Sequence, residues 1–177
     1  FLGEQASPGP QHATVHLNMG DFHFLDATQH LGLGRLGGWR AMTTGDLDGD
    51  ADCDLIIGGL GEPPRVYRND VTTPNRGLII RLEGRTSNRL GVGAEVVVNP
   101  IGTSAQQRYA VGASGGPKAL SEPLIYAGLG TAVGADVTVY WPSGVVQTVS
   151  DLVAGATHRI IEPELITIAP ANRHLLA

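Results

Sequence analysis

Residues 46–57 read Asp46-Leu47-Asp48-Gly49-Asp50-Ala51-Asp52-Cys53-Asp54-Leu55-Ile56-Ile57, a loop in which every second residue is an aspartate, running straight into a short apolar segment of β type. Carboxylates at roughly 4 Å repel by about 1 kcal/mol per pair in water, and by several times that in a less polar setting. A cation is therefore expected among them. Seventeen acidic residues face twelve Lys and Arg in the chain, a formal charge of −5. Setting the five loop aspartates aside leaves the two signs balanced, so the acidic excess is local.

The spacing is chemically specific. Aspartates at the first, third, fifth and ninth positions give hard oxygen ligands that can wrap one ion, as Ca²⁺ loops do. The ligands read from it are Asp46, Asp48, Asp50 and Asp54, with Asp52 at the seventh position offering its backbone carbonyl. No glutamate stands at the twelfth position and no helices flank the loop, which excludes an EF-hand. Mg²⁺ prefers to keep several waters, so Ca²⁺ is the expected ion. A solvated acidic turn is the alternative.

Composition sets the class. The chain has 177 residues, 42% of them apolar, with no run long enough to span a membrane. Its 25 glycines and 11 prolines punctuate short runs rich in valine, isoleucine and threonine. That pattern predicts an all-β protein with many turns. The single cysteine, Cys53, excludes an internal disulfide framework and multi-cysteine zinc sites. Basic residues are scattered, without an aromatic ladder, which argues against nucleic-acid binding. The opening Phe1-Leu2-Gly3-Glu4 has neither a basic region nor an apolar core, so a signal peptide is read as absent or already removed.

In chain order, Val15, Leu17 and Met19 alternate with His16 and Asn18 before Gly20-Asp21 and the pair Phe22 and Phe24, which predicts a hairpin turning at Gly20-Asp21. His12, His16, His23 and His30 lie close in sequence, but no neighbouring cysteine or acidic ligand completes a tetrahedral set, so ordinary surface or half-buried histidines are expected. Gly32-Leu33-Gly34-Arg35-Leu36-Gly37 fits the dinucleotide pattern letter for letter. Without a helix after it the fingerprint has no function, and a glycine-rich loop leading to a strand at 39–43 is expected. A further strand lies near Arg65 to Arg68, and the stretch from Asn69 to Arg76 has the composition of a linker. The boundary is set there, giving domains 1–75 and 76–177. Strands are then predicted at 78–83, 95–99, 145–149, 157–162 and 165–169. Another carries Val137, Val139 and Trp141 on its core face, and Trp141-Pro142-Ser143-Gly144 forms a turn.

The phrase from Thr44 to Gly59, followed by Val66-Tyr67-Arg68-Asn69-Asp70, resembles an FG-GAP (VCBS-type) repeat. The resemblance implies a propeller-like blade whose aspartate loop binds Ca²⁺. The sixth loop position, usually glycine in that family, is Ala51. The second half resembles the ASPIC/UnbV domain through Asn88-Arg89, Gly91-Val92-Gly93-Ala94, Gln107-Arg108, Gly128-Leu129-Gly130, Trp141-Pro142-Ser143-Gly144, Gln147 and Glu162. It departs at Ala127, where the family has Phe, and through 115–123. Together the resemblances imply an extracellular or cell-surface protein.

Gly112-Ala113-Ser114-Gly115-Gly116 also fits the nucleophile-elbow pattern, with Asp136 or Asp151 and then His158 in hydrolase order. The elbow needs a strand-to-helix turn that this β-rich chain does not offer. The expectation is a partial β-propeller-like segment plus a β-sandwich-like domain, acting as a non-catalytic, calcium-stabilised module for an extracellular protein, polysaccharide or surface. Because one blade cannot close a propeller, open strand edges make self-association into an extracellular oligomer or filament the second expectation.

Overall fold

The computed structural model describes residues 11–112 and 122–164. Every regular element among them is a β-strand, so the protein is all-β. None of the described residues forms a helix long and apolar enough to cross a membrane. The expected strand at 165–169 lies outside the described residues. The chain divides into two compact units, one built on the strands before residue 71 and one on those after it.

In the first unit, β1 (Gln11–His12) is followed by β2 (His16–Gly20), β3 (His23–Asp26), β4 (Leu36–Gly37), β5 (Trp39–Gly45), β6 (Asp54–Gly59) and β7 (Arg65–Tyr67). β1 pairs with β4, β2 with β3, and β5-β6-β7 form an antiparallel three-stranded sheet. The β2–β3 hairpin turns one residue later than its sequence predicts. Gly20 pairs with His23, so the loop is Asp21-Phe22, with φ of 47° and 60°. A two-residue turn with both φ positive matches the twist of the flanking strands. The glycine expected in the turn is taken up by a register shift in β2 between Asn18 and Gly20. Gly32 to Gly37 leads into β4 and β5 with no helix, which removes the dinucleotide reading. Trp39 anchors this stretch: its indole Nε1 donates to Arg35 O at 3.0 Å, and the Arg65 guanidinium lies 5.7 Å from its ring centroid.

The second unit comprises β8 (Arg76–Glu83), β9 (Glu95–Pro100), β10 (Gln107–Ala110), β11 (Leu124–Gly130), β12 (Gly134–Tyr140), β13 (Val146–Val153) and β14 (Thr157–Ile161). Two sheets, ordered β10-β9-β12-β13 and β11-β8-β14, share one apolar core. β14 runs parallel to β8, while the other pairings are antiparallel. Alternation places Leu78, Ile80 and Leu82 of β8 against Val96 and Val98 of β9 and Val137 and Val139 of β12. Burial of each such side chain stabilises by about 1.5–3 kcal/mol relative to exposure. Val137, Val139 and Trp141 are core residues, as their alternation predicts, and the turn after them closes with Gly144 N–H donating to Trp141 O at 2.9 Å.

The motif residues of this half are internal ties. Asn88 closes a loop on Val92 twice, its Oδ1 accepting from Val92 N–H at 2.9 Å and its Nδ2 donating to Val92 O at 2.6 Å. Gly91 follows at φ 66°, where an added Cβ would lie 2.7 Å from Leu82 Cβ. Gln107 donates to Gly128 O across the two sheets, and Gln147 accepts the Trp141 indole N–H. Glu162 is the largest tie. At 1% exposure, its Oε2 accepts the backbone N–H groups of Arg85, Thr86 and Ser87 at 2.7, 2.9 and 2.8 Å. Its Oε1 accepts the Ser87 and Ser143 hydroxyls at 2.9 and 2.5 Å. Burial by itself would raise this carboxyl's pKa, but the hydrogen bonds from Ser143, Ser87 and Arg85 outweigh it and hold it at about 2.

A pKa depressed from 4.5 means that the carboxylate's stabilisation is present above pH 4.5 and is lost as pH falls toward 2. Glu162→Ala leaves several buried donors unsatisfied at about 1–3 kcal/mol each, so a loss of at least about 3 kcal/mol is expected in denaturant unfolding. Glu162→Gln should cost less. The stability gap between parent and Glu162→Gln should shrink between pH 4.5 and 2, and a gap constant over that range would refute the ionic role.

Candidate metal centre

The aspartate loop connects β5 to β6. Gly45 pairs with Asp54 and Thr44 with Leu55, so the sheet register holds both ends of the loop. Gly49 and Ala51 turn the chain, with φ of 83° and 69°. Asp50 Oδ1 accepts the Asp52 backbone N–H at 2.9 Å and orients its own carboxylate.

The five aspartates are disposed in three ways. Asp46, Asp48 and Asp50 each bring a carboxylate oxygen to within 4.8 Å of the others, Asp46 half-buried and the other two exposed. Asp52 is half-buried and stands outside that group. Asp54 turns inward, 1% exposed. Its Oδ2 accepts from Leu47 N–H and its Oδ1 from Asn69 N–H, both at 2.8 Å, which pins the loop's start and the end of the sheet to one side chain.

The all-oxygen donor set is of the kind that suits a hard divalent cation. Ca²⁺–O distances of about 2.3–2.6 Å place opposite ligands about 4.6–5.2 Å apart, whereas Mg²⁺ at about 2.0–2.1 Å needs about 4.1 Å. Oxygens within 4.8 Å of one another satisfy either requirement, so the preference for Ca²⁺ rests on the all-oxygen protein donor set and not on the separation. Arg68 supplies the nearby positive charge, its Nε 3.6 Å from Asp48 Oδ2. It engages Asp70 more closely, at 2.7 and 2.9 Å. Cys53 is half-buried. Burial first, then the charges of Asp54 and Asp46, push its thiol pKa up, which disfavours a reactive thiolate.

The remaining candidates separate cleanly. His12, His16, His23 and His30 are all exposed. Ser114 of the elbow pattern lies outside the described residues. The described members of that trio have structural partners: His158 Nε2 lies 2.7 Å from Val153 O, and Asp136 Oδ1 accepts Asp151 N–H at the register shift between β12 and β13.

The second unit resembles a known family in sequence. Residues 84–166 match the family model described as ASPIC and UnbV. The matched segment runs from the loop that caps Glu162 through β14 and includes every motif residue described above as an internal tie. It does not reach the aspartate loop. No curated protein matches the chain.

Sequence reasoning found the loop but not the division of labour within it. The spacing presents Asp54 as a carboxylate ligand equal to Asp46, Asp48 and Asp50, and only the pairing of Gly45 with Asp54 shows why it faces inward. Ala51 was marked by its departure from glycine, and its φ of 69° places a Cβ where L-residues are strained by about 1–2 kcal/mol. Ala51→Gly relieves that strain but adds about 0.5–1 kcal/mol of unfolded-state entropy. A net gain of up to about 1 kcal/mol is expected in denaturant unfolding, and a loss would show that the Ala51 methyl contributes packing that outweighs the strain.

Proposed function

We propose that this protein is a non-catalytic, calcium-stabilised binding module that works outside the cell or at its surface. The observation that carries the reading is the convergence of Asp46, Asp48 and Asp50 within 4.8 Å in a loop pinned by Asp54. Those three residues would hold the ion, and the ion would supply positive charge to a set of oxygens that otherwise repel. Because a metal that binds only the native state adds its binding free energy to folding, its role is structural. The likeness of residues 84–166 to ASPIC and UnbV supports a β-sandwich partner unit in the same chain. The FG-GAP resemblance of the loop supports a blade-like first unit. The partner class that suits such a module is an extracellular protein, polysaccharide or surface.

A second reading has its own observation. The β2–β3 hairpin exposes Met19 at 64%, Phe22 at 99% and Phe24 at 63%, together with Leu17 and Leu25. An isolated two-stranded hairpin is at best marginally stable, and exposed apolar strands invite pairing. A structural subunit of a homo-oligomeric or filamentous assembly would cover these side chains. Sedimentation across a hundred-fold concentration range separates the two readings, because a monomer throughout rules out the assembly.

Thermal unfolding with Ca²⁺ and with a chelator tests the first reading. Calcium at about a hundred times its dissociation constant should stabilise by about 2.7 kcal/mol, a shift of several degrees. Asp50→Asn should lose most of that shift. Equal melting with and without calcium in the parent would overturn the calcium reading.

A further inference from the structure

The histidines near the start of the chain acquire a carboxylate once the chain is folded. His12 of β1, Asp26 at the end of β3 and His30 beyond it line one cavity of about 330 Å³, with Thr14, Thr28 and Gln29 as its remaining wall. In sequence Asp26 stands fourteen residues from His12. Two observations bring it round: β2 and β3 pair so that His16 faces Asp26, and Ala27 N–H then donates to Val15 O at 2.9 Å. The hairpin thus sets a carboxylate opposite His16 and on the wall that His12 and His30 share.

The geometry of His12 is that of a metal ligand held from behind. Its Nδ1 lies 2.7 Å from the Gly34 carbonyl oxygen. A carbonyl only accepts, so Nδ1 carries a hydrogen, and in the neutral ring the lone pair is then on Nε2. A backbone carbonyl on the far nitrogen is the usual way in which a metal-binding imidazole is oriented. Asp26 is oriented too, its Oδ1 accepting Thr28 N–H at 2.9 Å. Thr28, 4% exposed, is itself fixed, its hydroxyl accepting Val15 N–H at 3.0 Å.

We propose that His12, Asp26 and His30 bind a divalent transition-metal ion of the Zn²⁺ class, at a site separate from the aspartate loop. Two imidazoles and one carboxylate form the three-protein-ligand set that leaves a fourth tetrahedral position to water. This nitrogen-containing set selects zinc-like ions, whereas the all-oxygen set of the loop selects calcium. The ligand atoms of the three residues do not all lie within 4.8 Å of one another. Closure around an ion of 2.0–2.2 Å bond lengths therefore requires rotation of the exposed His30 side chain toward the preset His12 and Asp26.

The test is titration of the chelator-stripped full chain with Zn²⁺, followed by calorimetry. One ion per chain is expected, with His12→Ala, His30→Ala and Asp26→Asn each weakening binding by about ten-fold or more. His23→Ala should bind as the parent does, and Asp48→Asn reports any ion taken up by the aspartate loop. All five replace exposed side chains, and circular dichroism checks that each variant is folded. The proposal is overturned if the parent takes up no zinc, or if His12→Ala and His30→Ala bind it unchanged. It is equally overturned if only Asp48→Asn loses the ion, since zinc would then be sitting in the aspartate loop.

Discussion

A carboxylate withdrawn from water must be met by donors, and each unit of this protein is fastened at one such point. In the first unit Asp54, 1% exposed, takes the N–H groups of Leu47 and Asn69. In the second, Glu162, equally buried, takes three successive backbone N–H groups and two hydroxyls. A buried charge with every lone pair satisfied is retained at modest net energy, while one left unmatched costs several kcal/mol. Loops that would otherwise float are thereby tied to the ends of strands. Asp46, Asp48 and Asp50 differ in exposure and in aim: they are half-buried or exposed, and each brings a carboxylate oxygen to within 4.8 Å of the others.

Period-two alternation made the second unit legible. Val137, Val139 and Trp141 declare one buried face, and the Pro142-Gly144 turn declares where the strand ends. What alternation cannot show is which distant segments meet. Glu162 was readable only as part of a family likeness, because its backbone donors lie 75 to 77 residues away. Ala127 explains itself in the same terms: it sits in the core at 2% exposure, so the small side chain is a packing choice made against neighbours that the local sequence does not reveal.

In the first unit the misreadings were all of register. Moving the hairpin turn from Gly20-Asp21 to Asp21-Phe22 changes which residues face each other, since a one-residue slip exchanges the two faces of a strand. The same pairing sets His16 opposite Asp26, which no count of residues along the chain would place together. The aspartates, by contrast, were legible because a tight loop keeps sequence neighbours as spatial neighbours. Their separation into three convergent and one inward-facing carboxylate was not, since it depends on Gly45 pairing with Asp54.

The two units differ most in what is available to hold them together. Among the described residues the first unit buries only Ala27, Leu33 and Ile57 as apolar side chains, whereas the second fills the space between its sheets with leucine, isoleucine and valine from five strands. Hydrophobic burial scales with area, so the second unit is stabilised largely by its core and the first is not. Small cores are typically supplemented by disulfides, metals or association. Cys53 is the sole cysteine, so an internal disulfide is not open to this chain. Metal binding and association remain. The exposed apolar hairpin lies in the unit whose core is thin, where each kilocalorie of linked binding weighs most against unfolding.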